Sequence, residues 1–293
     1  MQTRALATLI AIADSGSFVR AAETRNMTLS AVSSQMKSLE STLDATLFDR
    51  SFRPPRLTAI GQSVVTHARQ VLAAEEMLVQ ACGRRDRLQG PVRAGFVLSA
   101  GVRVMPAFLE RAQAPDTALE ITVSSGLSRD LLRDVAEGRL DLAVLTLDEA
   151  PSADLYHVEL AREALVYAVP APFAADDIQT LARVSTFYQF APETGIGRMI
   201  ARHLEALPEM PRRCVVLDGM EAIMACVGRG LGFALLPEPD VQRYARAQDV
   251  DVRSVEPDGL SRALSLIARR GHLTLEQWRH ACALFDVAGS ARD

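Results

Sequence analysis

The sequence predicts an α+β multidomain chain: an N-terminal winged helix-turn-helix, a long linker helix and a C-terminal α/β domain of two lobes. Three observations carry this expectation. Residues 1–58 hold three short amphipathic helical patterns and an arginine-bearing, proline-stiffened loop; a helical pattern then runs from Thr58 to about Gln89, where Gly90-Pro91 stops it; beyond Val92, short β-rich runs alternate with helical ones. Such alternation is the pattern of parallel sheets covered by helices. The expected units are 1–58, 59–89 and 90–293, the last divided into lobe I (about 90–160 with 266–293) and lobe II (about 161–265).

Composition supports several folded units. At 293 residues the chain exceeds one ordinary core, and 48% hydrophobic against 23% charged residues is enough apolar surface to exclude a disordered chain. The four cysteines, at 82, 214, 226 and 282, form no CxxC pair, so a reducing compartment is expected. A net charge of −4 argues against nonspecific nucleic-acid binding by the whole molecule, yet residues 1–60 carry seven basic side chains against five acidic ones. Positive charge is thus concentrated where a phosphate-facing module would need it. No stretch approaches the roughly 20 apolar residues of a membrane span.

The first helix is expected at about 3–14, ended by Ser15-Gly16. Arg4 followed by the apolar run Ala5 to Ala13 imitates a short signal peptide, but Thr3 and Thr8 interrupt it, and Leu6, Leu9, Ile10 and Ala13 make the stripe of a core-facing helix. Ser17 caps a second helix through Phe18, Ala21 and Ala22; Arg25-Asn26-Met27 turns the chain, and Thr28 caps a third. In that third helix Val32, Met36, Leu39 and Leu43 recur at spacings of 4, 3 and 4, one buried stripe. The opposite face carries Ser30, Ser34, Lys37 and Ser41, with Ser33 at its edge. Small hydroxyls around one cation let a helix sit deep in the major groove, the hydroxyls reaching base edges or phosphates and the lysine a phosphate or a guanine. The same face would also suit the solvated side of an ordinary helix.

The loop beyond this helix favours DNA. After Leu47-Phe48 the chain from Asp49 to Thr58 contains Pro54-Pro55 and Arg50, Arg53 and Arg56, spaced three apart, as in a wing that lays cations along the backbone beside the groove. Four ordered blocks, Ser17-Phe18-x-x-Ala21-Ala22, Ser30-Ala31-Val32-Ser33-x-Gln35-x-x-x-Leu39-Glu40, Leu47-Phe48-x-Arg50 and Leu57-Thr58-x-x-Gly61, resemble the LysR-type winged helix-turn-helix signature. The resemblance implies a transcription regulator that contacts double-stranded DNA through Thr28, Ser30, Ser33, Ser34 and Lys37. Leu29 departs from the pattern, standing where glutamine is frequent.

Along the linker helix Leu57, Val64, Val71 and Leu78 fall at intervals of seven, with Ile60, Ala68, Ala74 and Ala81 beside them, approximating a short coiled-coil seam. Such a seam packs on the protein's own body or on a second copy. The resemblance favours the second copy, and a two-fold dimer implies a promoter site of inverted repeats.

In the C-terminal region Val92–Leu98, Leu119–Val123 and Leu140–Leu145 read as buried parallel strands, with helices near 102–113 and 128–138. Later strands are expected at Leu165–Val169, Ser185–Phe190, Arg213–Leu217, Gly232–Leu236 and Leu264–Ala268. Gly95, Pro106, Gly138-x-Leu140-Asp141-Leu142-Ala143 and Gly230-Leu231-Gly232-x-x-Leu235-Leu236-Pro237 resemble the LysR-type effector domain, which is similar to a periplasmic binding protein with a ligand cleft between two lobes. In open α/β sheets ligands bind beyond the carboxyl ends of strands. The expected cleft is therefore Ser99, Ala100 and Gly101 after the first strand, Gly126, Leu127 and Ser128 after the second, Thr146 after the third, and Glu193, Thr194 and Gly195 ahead of a helix in lobe II. Free N–H groups there suit an anion or polar group, although Glu193 would disfavour an anion. Each segment could also be an ordinary cap or turn. The resemblance further implies a homodimer or homotetramer, RNA polymerase as a partner, a cytoplasmic location, no membrane association and no cofactor.

Five histidines, at 67, 157, 203, 272 and 280, form no metal-ligand spacing, and GxSxG and Walker A motifs are absent, so an enzyme is disfavoured. Cys214 at a strand edge and Cys226 in an apolar helix have the settings of inert cysteine rather than a redox pair. The competing expectation is a solute-binding module or small-molecule enzyme whose N-terminal helices are only a dimerisation arm.

Overall fold

The computed structural model describes residues 3–82, 87–114, 117, 119–147, 151–245, 249–256 and 259–287. At the N-terminus α1 (Thr3–Ser15), α2 (Phe18–Thr24) and α3 (Leu29–Leu43) pack around Leu6, Leu9, Ile12, Ala21, Val32, Met36 and Leu39. The caps act as the residue types dictate: Ser17 Oγ accepts from Arg20 N at 3.4 Å, and Thr28 Oγ1 accepts from Ala31 N at 3.2 Å. Gly16, at φ +62°, ends α1 in the left-handed region, where glycine carries no side-chain penalty. Ile12 is buried in α1 whereas Ile10 and Ala13 are half-buried, a stripe one notch from the expected one, because α1 contacts α2, α3 and the linker helix together. The wing consists of β1 (Phe48–Asp49) paired antiparallel with β2 (Arg56–Leu57).

Thr58 then caps α4 (Ala59–Cys82), its Oγ1 accepting from Gly61 N at 2.9 Å. Val65 and Ala68 bury against the head with Leu72 packed beside them, Arg69 pairs with Asp14, and Thr3 Oγ1 donates to Glu75 Oε1 at 2.9 Å. The helix expected to reach Gln89 ends its described part at Cys82, and Arg87 to Gln89 are not helical. The reason lies in lobe I: Leu88 is buried in its core, its N–H donates to His280 Nδ1 at 2.9 Å, and Gly90 at φ +74° turns the chain into a strand.

Lobe I contains β3 (Gly90–Val97), α5 (Leu98–Ala112), β4 (Leu119–Gly126), α6 (Ser128–Ala136) and β5 (Leu142–Thr146). As expected, β3 pairs in parallel with β4 and with β5. The long β6 (Leu155–Pro170) leads into lobe II, which contains α7 (Ile178–Val184), β7 (Thr186–Phe190), α8 (Gly195–Glu205), β8 (Arg213–Leu217), α9 (Met220–Gly228), β9 (Phe233–Pro237), α10 (Glu238–Ala245) and β10 (Val250–Ser254); β11 (Ser261–Arg269) and α11 (Leu275–Leu284) return to lobe I. Here β7 pairs in parallel with β8 and β9.

Three features differ from the sequence reading. The sheets are mixed, because β6 and β11 carry the chain between lobes in opposite directions: β11 is antiparallel to β5 and β6, and β6 antiparallel to β9. The strand expected at 165–169 begins ten residues earlier, its first half alternating between exposed and half-buried positions. And β10, absent from the expected strands, adds antiparallel to β6 with no fully buried position. Separate cores lie beneath the lobes, one around Phe96, Phe108, Leu142 and Trp278, the other around Phe187, Ile200, Met224 and Phe233.

Candidate nucleic-acid interface and effector cleft

On α3 the buried stripe of Val32, Met36 and Leu39 turns Ser30, Ser34, Lys37 and Ser41 to the exterior, with Ser33 half-buried at the flank. Thr28 is exposed, and its hydroxyl shares a 3.1 Å hydrogen bond with Ser30 Oγ. The wing arginines differ in their freedom. Arg50 donates to Glu40 Oε2 at 2.8 Å, while Oε1 of that carboxylate accepts from Leu47 N at 2.9 Å and Phe48 N at 3.1 Å. Arg50 therefore helps to anchor the wing to α3. Arg53 is exposed, and the exposed Arg56 has its guanidinium carbon 4.7 Å from the centre of the Phe52 ring, an orienting contact.

The second candidate site lies between the lobes. Val97, Leu98, Ser99, Gly126, Leu127, Ser128 and Thr146 from lobe I meet Phe190, Thr194, Gly195 and Ile196 from lobe II around a cavity of about 20 Å³. Seven of the ten expected cleft residues are thus brought together. Ala100 and Gly101 are not among them: α5 begins directly at the end of β3, which puts both in its first turn, Ala100 buried in the lobe I core and Gly101 facing Phe96 and Met105. Glu193 is also outside the cleft and exposed, so its carboxylate does not oppose an anion there. Thr194 lines the cleft, but its hydroxyl is already engaged, accepting from Gly197 N and donating to Ala191 O at 2.9 and 2.8 Å.

Hydrogen-bond direction sets the polarity of what remains. Ser99 Oγ accepts from Arg262 Nη1 at 2.7 Å, and Ser128 Oγ accepts from Thr146 N at 3.3 Å. Each hydroxyl keeps its proton to donate. Arg262, 1% exposed, was not singled out in the sequence; it lies on β11 and also donates to Glu163 Oε2 at 2.8 Å. Arg103 grips Glu163 through both its oxygens, at 2.7 and 3.0 Å, and reaches Asp240 Oδ1 at 2.9 Å. No sequence spacing announces this chain, since its members come from α5, β6, α10 and β11. Burial pushes the Cys214 thiol pKa up, the opposite of what an activated thiolate needs. Among the described residues no cluster of His, Cys, Asp and Glu could hold a metal ion, and no helix is long and apolar enough to cross a membrane.

A helix-turn-helix head with a wing, joined by a long helix to two α/β lobes around a cleft, defines a ligand-responsive DNA-binding regulator. Residues 3–62 match the bacterial regulatory helix-turn-helix proteins of the lysR family, and residues 85–285 match the LysR substrate binding domain. The chain belongs to the LysR family of transcriptional regulators. It is 26% identical over 256 residues, 87% of this chain and 86% of the relative, to the HTH-type transcriptional regulator CzcR of Bacillus cereus. Among solved structures it is similar to a full-length OxyR variant from Pseudomonas aeruginosa (TM-score 0.81, 22% identity, 100% and 97% of the two chains). It is also similar to full-length LysG from Corynebacterium glutamicum with bound effector Arg (TM-score 0.63, 24% identity, 99% and 98%).

Proposed function

We propose that this regulator reads a promoter through Thr28, Ser30, Ser33, Ser34 and Lys37 of the head and Arg50, Arg53 and Arg56 of the wing, and senses a small molecule in the cleft between its lobes. The observation that carries the DNA assignment is the orientation of α3: Val32 and Met36 are fully buried while Ser34 and Lys37 face out. Head (1–58), linker (59–89) and effector domain (90–293) act as separate parts of a homodimer or homotetramer in the cytoplasm, on inverted half-sites beside RNA polymerase. The chain works by binding, without catalysis and without a cofactor.

The effector is a molecule that offers oxygen acceptors, a carboxylate or a carbonyl. The donor-presenting Ser99 and Ser128 hydroxyls support this, as do the N-termini of α5, α6 and α8, whose dipoles favour negative charge. Ser99, Gly126, Leu127, Ser128, Thr146, Thr194 and Gly195 line its site. LysG, of the same fold, has an amino acid as its bound effector.

A gel-shift titration over a range of salt tests the DNA assignment. Replacing Arg53 and Arg56 by Ala lowers affinity for every DNA and reduces the salt slope by about 1 for each phosphate contact removed. Unchanged affinity and slope would remove the wing from the interface.

A further inference from the structure

The head carries an apolar feature that neither the serine and lysine face nor the wing explains. Leu29 opens α3 directly after its cap and is 47% exposed; Val19, in the first turn of α2, is 53% exposed. With Phe18, Ser33, Pro54 and Pro55 they line a groove of about 310 Å³ between the starts of α2 and α3 and the wing. The head does not need either side chain for its core, which Val32, Met36, Leu39 and Phe48 fill. At roughly 100° per residue Leu29 lies about 60° from Val32 and about 40° from Ser33, on the flank of α3 between the buried stripe and the serines.

Charge decides what occupies this groove. Arg50 lines it, paired with Glu40, and the exposed Arg53 directly precedes Pro54 at its edge, so that the cation left without an acidic neighbour among the described residues suits a polyanion and disfavours a purely apolar partner. A side chain in the first turn of a recognition helix meets base edges, and the apolar group among those edges in the major groove is the C5-methyl of thymine. We propose that Leu29, with Val19 beside it, reads thymine by its methyl group, so that each half-site recognised by this chain holds a thymine where the leucine lands. The inference rests on the DNA-binding reading above and adds to it a specificity determinant.

The test needs no known operator. The full-length protein and Leu29→Gln each select binding sites from a random duplex pool synthesised with thymidine and from a second pool in which deoxyuridine replaces it. Wild type is expected to enrich thymine at one position per half-site in the first pool. That enrichment falls about four-fold in the deoxyuridine pool, the factor for about 0.8 kcal/mol lost with one buried methyl-sized group. Leu29→Gln, an exposed site whose melting curve should match wild type, loses the difference between pools and moves that position toward adenine, which glutamine grips on N6 and N7. The rest of its consensus is retained. One consensus of equal strength from both pools, or an unchanged pool difference in Leu29→Gln, would overturn the thymine reading while leaving DNA binding intact. If neither pool yields a consensus, the DNA-binding reading itself fails. A Leu29→Gln protein that changes oligomeric state in sedimentation, with its consensus unchanged, would make the groove a contact between copies instead.

Discussion

Asp141 shows how one buried carboxylate organises a lobe. Its oxygens accept from Arg93 N and Nη2, both at 2.7 Å, and His272 Nε2 lies 2.6 Å away. Burial by itself would raise its pKa, but the hydrogen bonds from His272 and Arg93 outweigh that and hold it at about 2. A depressed pKa means that the folded state favours the charged form. The stabilisation is complete above the ordinary value of 3.8 and is lost as pH falls toward about 2. Thermal melts should therefore show wild type losing stability across that interval. Asp141→Asn should be less stable by about 2 kcal/mol at neutral pH, because Arg93 and His272 lose their anion, and its melting should respond less to acid. Identical acid profiles for the two proteins would contradict this role. At the same scale, Arg262 fixes which way the Ser99 hydroxyl points, and so what the cleft can bind.

The element with the most unfinished surface is α4. One side is covered by the head through Val65 and Ala68, while Ile60, Val71 and Leu78 are 56%, 39% and 69% exposed. With the half-buried Val64 and the exposed His67 and Ala74, they make a continuous stripe at spacings of three and four. A helix apolar on two sides calls for a partner on each, and among the described residues the side of Ile60, Val71 and Leu78 is left exposed. Replacing Val71 and Leu78 together by Glu should shift sedimentation toward monomer and weaken binding to inverted repeats far more than to a single half-site, with the head still folded. A double variant that remains dimeric would place the dimer contact elsewhere.

Across the whole molecule, function depends on the joint between lobes. Among the described residues β6 and β11 carry the backbone across, and the ion chain from Arg262 through Glu163 and Arg103 to Asp240 ties α5, both crossing strands and α10 together. The cleft beside it, at about 20 Å³, holds about one water, so the effector site proposed there needs the lobes to separate and reclose around the ligand. Gly195 stands at this contact: a Cβ there would lie 3.5 Å from both Ser128 Oγ and Thr146 Cβ. Gly195→Val should fill the ligand's space. In a thermal-shift screen of carboxylates, wild type at 100 times the dissociation constant gains about 2.7 kcal/mol. The variant should gain nothing while binding DNA with wild-type affinity. A full response in the variant would move the effector site out of the cleft.

Local signals were enough to make the head legible in the sequence. Ser17 and Thr28 cap the helices they precede, and the spacing of Val32, Met36 and Leu39 decides which face of α3 is buried, because both effects act within one helical turn or one amphipathic face. The parallel strands β3, β5, β7 and β9 were legible for the same reason, as short buried runs; β4 and β8 were legible as short β-rich runs, but β4 alternates between half-buried and exposed positions and β8 is mostly exposed. Tertiary structure alone decided the rest. It placed Ala100 and Gly101 in the core and Glu193 outside the cleft, engaged the Thr194 hydroxyl in its own cap, and brought Arg262 behind Ser99 across 163 positions of sequence. Those outcomes depend on the return of β11 beside β5 and β6, a long-range pairing that no periodicity in the chain encodes.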